Sequence, residues 1–498
     1  MMNSLRPYQA SDVEACFRLW DSGATGTLTR LATGMGKTRS SIAKMQRWLA
    51  SGVRRRCMIL IHETQLADYW AEQIAKHLGI TPGIEMAERR SSPHDRVVIA
   101  SRSTLLKKSD GSSRLHKFDP VLDWLVIYDE CDRYAHRQAS TGHIVDWFEQ
   151  NPASKRSGIT GTPNRYDRVS ILDKMFPAIA TDIPMPAAIE QGWSVPIRQA
   201  FVQVTGMELD DMPPGQDARD EQMARQLANR VATCAQPTLD LAGSRRTIMF
   251  SPRRDVAHAV ADWMNRDRRI RCVAVDGTIK PAARKAIYAA YGRGEFQFLS
   301  CCGLCTRGFD DPETSCVAVF RSFSKDAGAL AEQIKGRGTR VLPGVVDGLH
   351  SAEERRAAIA ASNKPDMLVI DLMGDSGIGR SHSTLDLLYN GLPDELVWRL
   401  VQYLNGRGEL LDTAVTEAKK QFRPSWFAEL SPGARGLLET LMTRVGYYVL
   451  PDVPPWKLPG AGTRYQYETR LFNTRESIHP SRAFVYIPKR SPMWRFLA

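Results

Sequence analysis

The sequence predicts an α/β protein of two tandem parallel-sheet domains followed by a smaller accessory region. Two observations carry that reading and a third divides it. Short apolar runs alternate with amphipathic stretches through the first 375 residues, and strands alternating with helices imply βαβ units and parallel sheets. Beyond about residue 379 the rhythm fades. Between the two halves, residues 207–220 contain DDMPPGQDARD, a Pro-, Gly- and Asp-rich stretch that reads as an insertion or linker.

In chain order, 57–61 (CMILI), 97–100 (VVIA) and 124–128 (WLVIY) read as buried strands of the first half. In the second half 247–250, 272–275, 296–299, 317–320 and 367–372 read the same way. Helical patterns lie between them, as at 65–78 and 256–266. Further on, 393–405 and 413–422 look helical, 451–462 is a Pro/Gly-rich hinge, and 464–487 alternates aromatic, basic and β-branched residues like exposed strands. The expected division is therefore 1–185, 186–379 and 380–498.

Composition sets the outer bounds. The chain has 498 residues, 43% hydrophobic and 24% charged, which excludes wholesale disorder. It has no apolar run long enough to span a membrane and no apolar leader segment, so a cytoplasmic setting, bacterial or phage-infected, is expected rather than secretion. Nine scattered cysteines fit free thiols better than a disulfide framework. The net charge of +12 points to an acidic partner, nucleic acid first, although a merely basic surface gives the same number.

Residues 28–38 read LTRLATGMGKT. A glycine-containing turn ending in Gly-Lys-Thr, between an apolar strand and a helix, is a nucleotide phosphate cradle. Thr33, Gly34 and Gly36 shape the loop so that backbone N–H groups wrap phosphate oxygens. Lys37 reaches the β- and γ-phosphates, and the Thr38 hydroxyl can ligate Mg²⁺. Leu31 stands where the strict pattern has glycine. A phosphate loop also needs a strand that delivers a carboxylate to the metal, and 125–132 (LVIYDECD) supplies one about 90 residues later. Asp129 is the expected Mg²⁺ ligand and Glu130 the group that orients and deprotonates water. Residues 333–340 (QIKGRGTR) lie in the second half. Arg337 and Arg340, three apart on one helical face, can point into a cleft and stabilise charge on the γ-phosphate; a plain basic helix end is the alternative.

Together these motifs resemble superfamily 2 helicases and translocases over roughly residues 5–375, in the family's order. LRPYQ at 5–9 looks like the element that reads adenine, which assigns nucleotide contacts to Arg6 and Gln9. GITGTP at 158–163 is similar to the motif that couples hydrolysis to movement, through Thr160 and Thr162, with Gly161 replacing the usual Ala. GLCTRGFDDP at 303–312 matches the motif between nucleotide and nucleic acid, with Gly308 and Asp310 facing the nucleotide, as Gln333 also would. DECD at 129–132 is a variant of the DEAD/DEAH box. The loop, TGTP and QxxGRGxR look closest to restriction-enzyme motor subunits and RadD-like repair helicases. The resemblance implies two RecA-like domains with ATP and Mg²⁺ between them, stepping along DNA, or along RNA, where DECD also occurs. A factor loading a partner complex through 380–498 is the reading from a different class.

By position in the family, Thr64, Ser101 and Thr104 in the first half, and Ser251, Thr278 and Thr306 in the second, are candidate contacts to a nucleic-acid backbone; each could equally cap a strand end. Charge adds a location. Residues 1–185 carry 26 basic and 20 acidic side chains, and 457–498 carry 8 and 2. In that last stretch Tyr465, Tyr467, Phe472, Phe484 and Tyr486 interleave with Arg464, Arg470, Arg475 and Arg482, which suits a platform for single-stranded, forked or branched DNA, or equally a small β-rich cap. Two signals are declined. Cys301, Cys302 and Cys305 lack a second pair for zinc. Asp412 with Glu417 and Lys419 resembles the acid–acid–lysine arrangement of restriction nucleases, but it sits in a helical pattern.

Overall fold

The computed structural model describes residues 5–62, 64–109, 112–134, 139–161, 175–209, 211–304, 311–323, 328–374, 384–389 and 392–423, with three helical positions at 432, 435 and 436. Seven strands form the first sheet: β1 (Gly26–Leu31), β2 (Arg55–Ile61), β3 (Gly83–Glu85), β4 (Val97–Ser101), β5 (Asp123–Asp129), β6 (Lys155–Thr160) and β7 (Ala178–Ile183). Their order is β3-β4-β2-β5-β6-β1-β7, and every pairing is parallel. The second sheet holds β8 (Ile197–Gln203), β9 (Thr247–Phe250), β10 (Cys272–Val275), β11 (Phe298–Cys301), β12 (Cys316–Val319), β13 (Met367–Met373) and β14 (Glu409–Leu410), ordered β10-β11-β9-β12-β13-β8-β14. Only β14 runs antiparallel.

Apolar side chains cover both faces of each sheet, which is why the runs are apolar almost throughout. Two expectations are corrected. Residues 207–220 do not join the halves: β8 precedes them and already pairs with β13, so the chain crosses between sheets at 184–196. Met207, Leu209 and Met212 pack into the core of the second sheet. The helices Asp394–Tyr403 and Leu411–Gln421 are also no detached accessory. They share a core with Phe201 and Met373, and β14 extends the second sheet beside β8.

The two units pack directly on each other. Tyr8, Leu31, Ala32 and Met35 of the first belong to one apolar cluster with Trp193, Val341 and Val346 of the second. Tyr8 and Trp193 meet edge to face at 5.0 Å.

A buried ionic network fixes the elements that carry the phosphate loop. Asp12 lies on α1 (Pro7–Asp21), and Lys44 on α2 (Lys37–Ala50). Their charged ends are 2.8 Å apart with neither side chain exposed. The Thr29 hydroxyl on β1 donates to Asp12 at 2.7 Å and accepts from Lys44 at 2.8 Å, and Ser40 also donates to Asp12. The strand entering the loop and the helix leaving it are thus tied to α1. Removing one partner strands a buried charge, so Lys44→Met lowers the unfolding free energy by about 3–5 kcal/mol in urea titrations; a loss under about 1 kcal/mol would contradict this. Burial alone would raise the Asp12 carboxyl, but Lys44, Ser40 and Thr29 outweigh it and hold it below the usual range. Its contribution is therefore present at neutral pH and lost only as pH falls below about 4.

Candidate nucleotide site between the two sheets

The turn from β1 into α2 has the shape of an anion cradle. Gly34 (φ 91°) and Gly36 (φ 76°) adopt left-handed backbone, and Gly36 is the N-cap of α2. Neither has room for a side chain. A Cβ on Gly36 would stand 2.7 Å from Gln9 Nε2, and one on Gly34 would stand 2.9 Å from Arg340 Cγ. Gln9 braces the loop: Nε2 donates to the Met35 carbonyl at 3.1 Å, and Oε1 accepts from Arg6 N at 3.1 Å. Its amide thus fastens the loop while it also lines the cleft, whereas Arg6 lies 3.7 Å from Asp347. The Lys37 ammonium donates to the Leu31 carbonyl at 3.3 Å.

The carboxylates arrive from β5. Asp129 ends that strand, and Glu130 follows in left-handed backbone (φ 48°). A non-glycine residue held there costs about 1–3 kcal/mol and marks a position fixed by its surroundings. Asp129 is oriented by a residue that no motif contains. Trp70 on α3 (Thr64–Leu78) is fully buried, and its indole N–H donates to Asp129 Oδ2 at 2.9 Å. Trp70→Phe keeps the ring and removes the donor. Mg²⁺ needed for half-maximal hydrolysis should rise about tenfold with little change in Tm; an unchanged requirement would show that the bond is incidental. Asp132 accepts from the Thr160 hydroxyl at 3.2 Å, which links the acidic strand end to the candidate coupling motif. A Cβ on Gly161 would come within 3.3 Å of Lys37 Nζ, so the usual alanine would crowd this lysine.

The opposite wall comes from the second sheet. Gln333, Arg337 and Arg340 line a cavity of about 200 Å³ together with Thr33, Gly34, Gly36, Lys37, Thr38, Asp129 and Glu130. It adjoins a larger cleft of about 610 Å³ bordered by Arg6, Gln9 and Trp193. Contrary to expectation, the two arginines do not share one helical face. The α-helix Gly328–Lys335 stops before them, Arg337 sits in a single 3₁₀ turn (Gly336–Gly338), and Arg340 follows in extended chain bridged to Ser194. They converge through that turn. Motif and loop also touch: the Thr339 hydroxyl donates to the Thr33 carbonyl at 3.3 Å, and a Cβ on Gly336 would stand 2.7 Å from Thr33 Cβ. Tyr69, Gln73 and His77, spaced four apart on α3, line the same cavity and carry no motif that could have revealed them.

The candidate nucleic-acid residues fare differently. Ser101 caps the short helix Arg102–Leu106, accepting from Thr104 N at 3.2 Å and donating to Thr104 Oγ1 at 2.9 Å. Thr278 gives its hydroxyl proton to Asp276 at 2.6 Å, and Ser251 is only 1% exposed. As placed, Ser101 and Thr278 are engaged internally, the strand-end capping that their positions equally allowed. Thr162, Thr306, Gly308, Asp310 and the Thr64 side chain lie outside the described residues, as do 437–498 with their aromatic and basic residues. Asp412 sits on a helix and accepts from the Tyr389 hydroxyl at 3.0 Å.

Two family descriptions match this chain. "Type III restriction enzyme, res subunit" matches residues 2–165, and "Helicase conserved C-terminal domain" matches 231–341. The chain belongs to the superfamily 2 helicases. Among relatives of that superfamily, IRC3 of Saccharomyces cerevisiae, named for an ATP-dependent helicase, is 25% identical over 68% of this chain and 49% of its own length. The mitochondrial irc3 of Schizosaccharomyces pombe is 26% identical over 69% of this chain and 56% of its own. The chain thus spans about half the length of the curated relatives it matches. The fold agrees with that of the Type ISP restriction-modification enzyme LlaBIII (TM-score 0.53, 15% identity, 84% of this chain and 30% of that one). Both sheets are accordingly the RecA-like cores of superfamily 2. Among the described residues, no helix is long and apolar enough to cross a membrane.

Proposed function

We propose that the chain is an ATP-dependent DNA helicase or translocase, with residues 1–185 and 186–379 as its two motor halves. The observation that carries this is a single cavity in which the phosphate loop, the Asp129–Glu130 pair and Arg337 with Arg340 face one another from different sheets. Backbone N–H groups at the start of α2 and the Lys37 ammonium would hold the phosphates. Thr38 and Asp129 supply hard oxygen donors suited to Mg²⁺, which when bound would neutralise charge on the β- and γ-phosphates. Glu130 takes the proton of the attacking water as its oxygen bonds to the γ-phosphorus. The bond to the bridging oxygen breaks, and ADP carries that oxygen away. Arg337 and Arg340 meet the charge spreading over the γ-phosphoryl oxygens.

DNA is favoured over RNA because the first lobe matches a restriction-enzyme subunit family and LlaBIII is described as bound to DNA. The work proposed is repair, recombination or remodelling at replication intermediates, on single-stranded, forked or branched DNA. A second reading, a factor that contacts a partner protein through 380–498, is favoured by Trp398 and Tyr403, 45% and 48% exposed on one helix. Assays of ATP hydrolysis and strand separation on forks, four-way junctions, displacement loops and RNA duplexes test the proposal. Stimulation by DNA structures is the expected result, and stimulation by RNA alone would replace it with the RNA-helicase reading.

A further inference from the structure

The interface between the lobes holds a second, smaller chamber that shares no lining residue with the nucleotide cavity. It is about 40 Å³ and is bounded by Arg30 on β1, by Met185 and Pro186 after β7, and by Glu332, Lys335 and Gly336 of the second lobe. Lys335 is already paired, donating to Asp371 at 2.7 Å. Arg30 is half satisfied: Nη1 meets Asp182 at 3.2 Å, while its buried Nε has no hydrogen-bond partner among the described residues. Glu332 lines the same chamber from the other lobe. Arg30 and Lys37 attract that carboxylate, whereas Glu130 and Asp132 repel it. We propose that Arg30 and Glu332 form an inter-lobe electrostatic couple that sets how tightly the lobes close over ATP.

Three features support the assignment. The cation and the anion belong to different lobes, so their attraction acts on closure rather than on the folding of either unit. Asp182 anchors the Arg30 guanidinium through Nη1, and the Nε is buried without a hydrogen-bond partner among the described residues. Glu332 immediately precedes Gln333 on the helix that leads into Arg337, so a pull on Glu332 is a pull on the wall of the nucleotide cavity. Burial, with Glu130 and Asp132 adding to it and Arg30 and Lys37 opposing, pushes the Glu332 carboxyl up to about 7. The charge that attracts Arg30 is therefore present above about pH 7 and lost as pH falls through it.

The proposal rests on the nucleotide reading, and its test separates the two. Steady-state ATP hydrolysis by the full chain, with saturating oligothymidine as the nucleic acid, is measured for E332Q, R30Q, R30Q/E332Q and the swap R30E/E332R. Each neutral single variant should raise KM for ATP about three- to tenfold while kcat changes less than about twofold, and the double variant should be no worse than the singles. The swap should recover only part of the loss, because R30E also gives up the pair with Asp182. Additive single effects, or a KM lowered by E332Q because repulsion from Glu130 and Asp132 governs, would overturn the couple. If the swap does not fold, the neutral cycle decides by itself. A wild-type chain that binds a fluorescent ATP analogue but hydrolyses no ATP would instead overturn the reading of the site as a hydrolase.

Discussion

Lys37→Ala and Glu130→Gln each reduce ATP hydrolysis to background, for different reasons that separate measurements resolve. Lys37 carries the only lysine ammonium lining the phosphate-loop cavity among the described residues, and it already reaches toward that loop through the Leu31 carbonyl. Losing it removes ground-state binding as well as charge stabilisation, so Kd for ATP rises and kcat falls by about 10²–10³ or more. Glu130→Gln keeps the shape and the hydrogen-bonding reach of the side chain but not the base. ATP binding should persist while kcat falls by about 10²–10⁴. A glutamine variant with normal turnover would show that Glu130 is held in its left-handed backbone for some other purpose.

The second large effect belongs to the opposite lobe. Arg340→Ala should leave ATP binding within a few-fold and lower kcat by about 10³, the scale of an arginine finger. Its aliphatic stem rests against Gly34, where a Cβ would stand only 2.9 Å away, so the guanidinium is carried at the phosphate loop itself. Burial lowers its basicity, with Tyr69 opposing that and Arg6 adding to it, yet an arginine remains charged throughout the accessible pH range. Arg340→Lys should not restore the rate, because a single ammonium cannot reproduce the planar fork. A lysine variant with near-normal kcat would reduce the role to one of net charge.

Much of the fold is legible in the sequence because buried parallel strands leave long apolar runs. The run at 124–128 lies wholly within β5, and that at 97–100 within β4. Strands with polar residues escape. β6 reads KRSGIT, yet Ser157 and Thr160 are fully buried, and Arg156 is held by Glu149 and by the Met175 carbonyl. The run at 296–299 is displaced by two residues from β11 because Phe296 is buried ahead of the strand, not in it. Burial and strand geometry are separate properties that an apolar run cannot distinguish.

At the site, local spacing identifies the loop, the two carboxylates and the two arginines, since each motif is short and contiguous. It misjudges how the arginines are presented, because Gly336 and Gly338 tighten the helix end into a 3₁₀ turn. Trp70 and Glu332 are invisible to it for a more general reason. Periodicity tells which face of a helix is buried, but not which distant carboxylate an indole N–H meets or which cation a carboxylate faces across a domain boundary.

The most direct test of the two-lobe account is ATP hydrolysis by the wild-type chain with Mg²⁺, measured with and without single-stranded DNA. The account predicts slow basal turnover that DNA accelerates severalfold or more, through tighter closure of the two lobes around the γ-phosphate. Hydrolysis that is absent, or fast and indifferent to every nucleic acid offered, would contradict it.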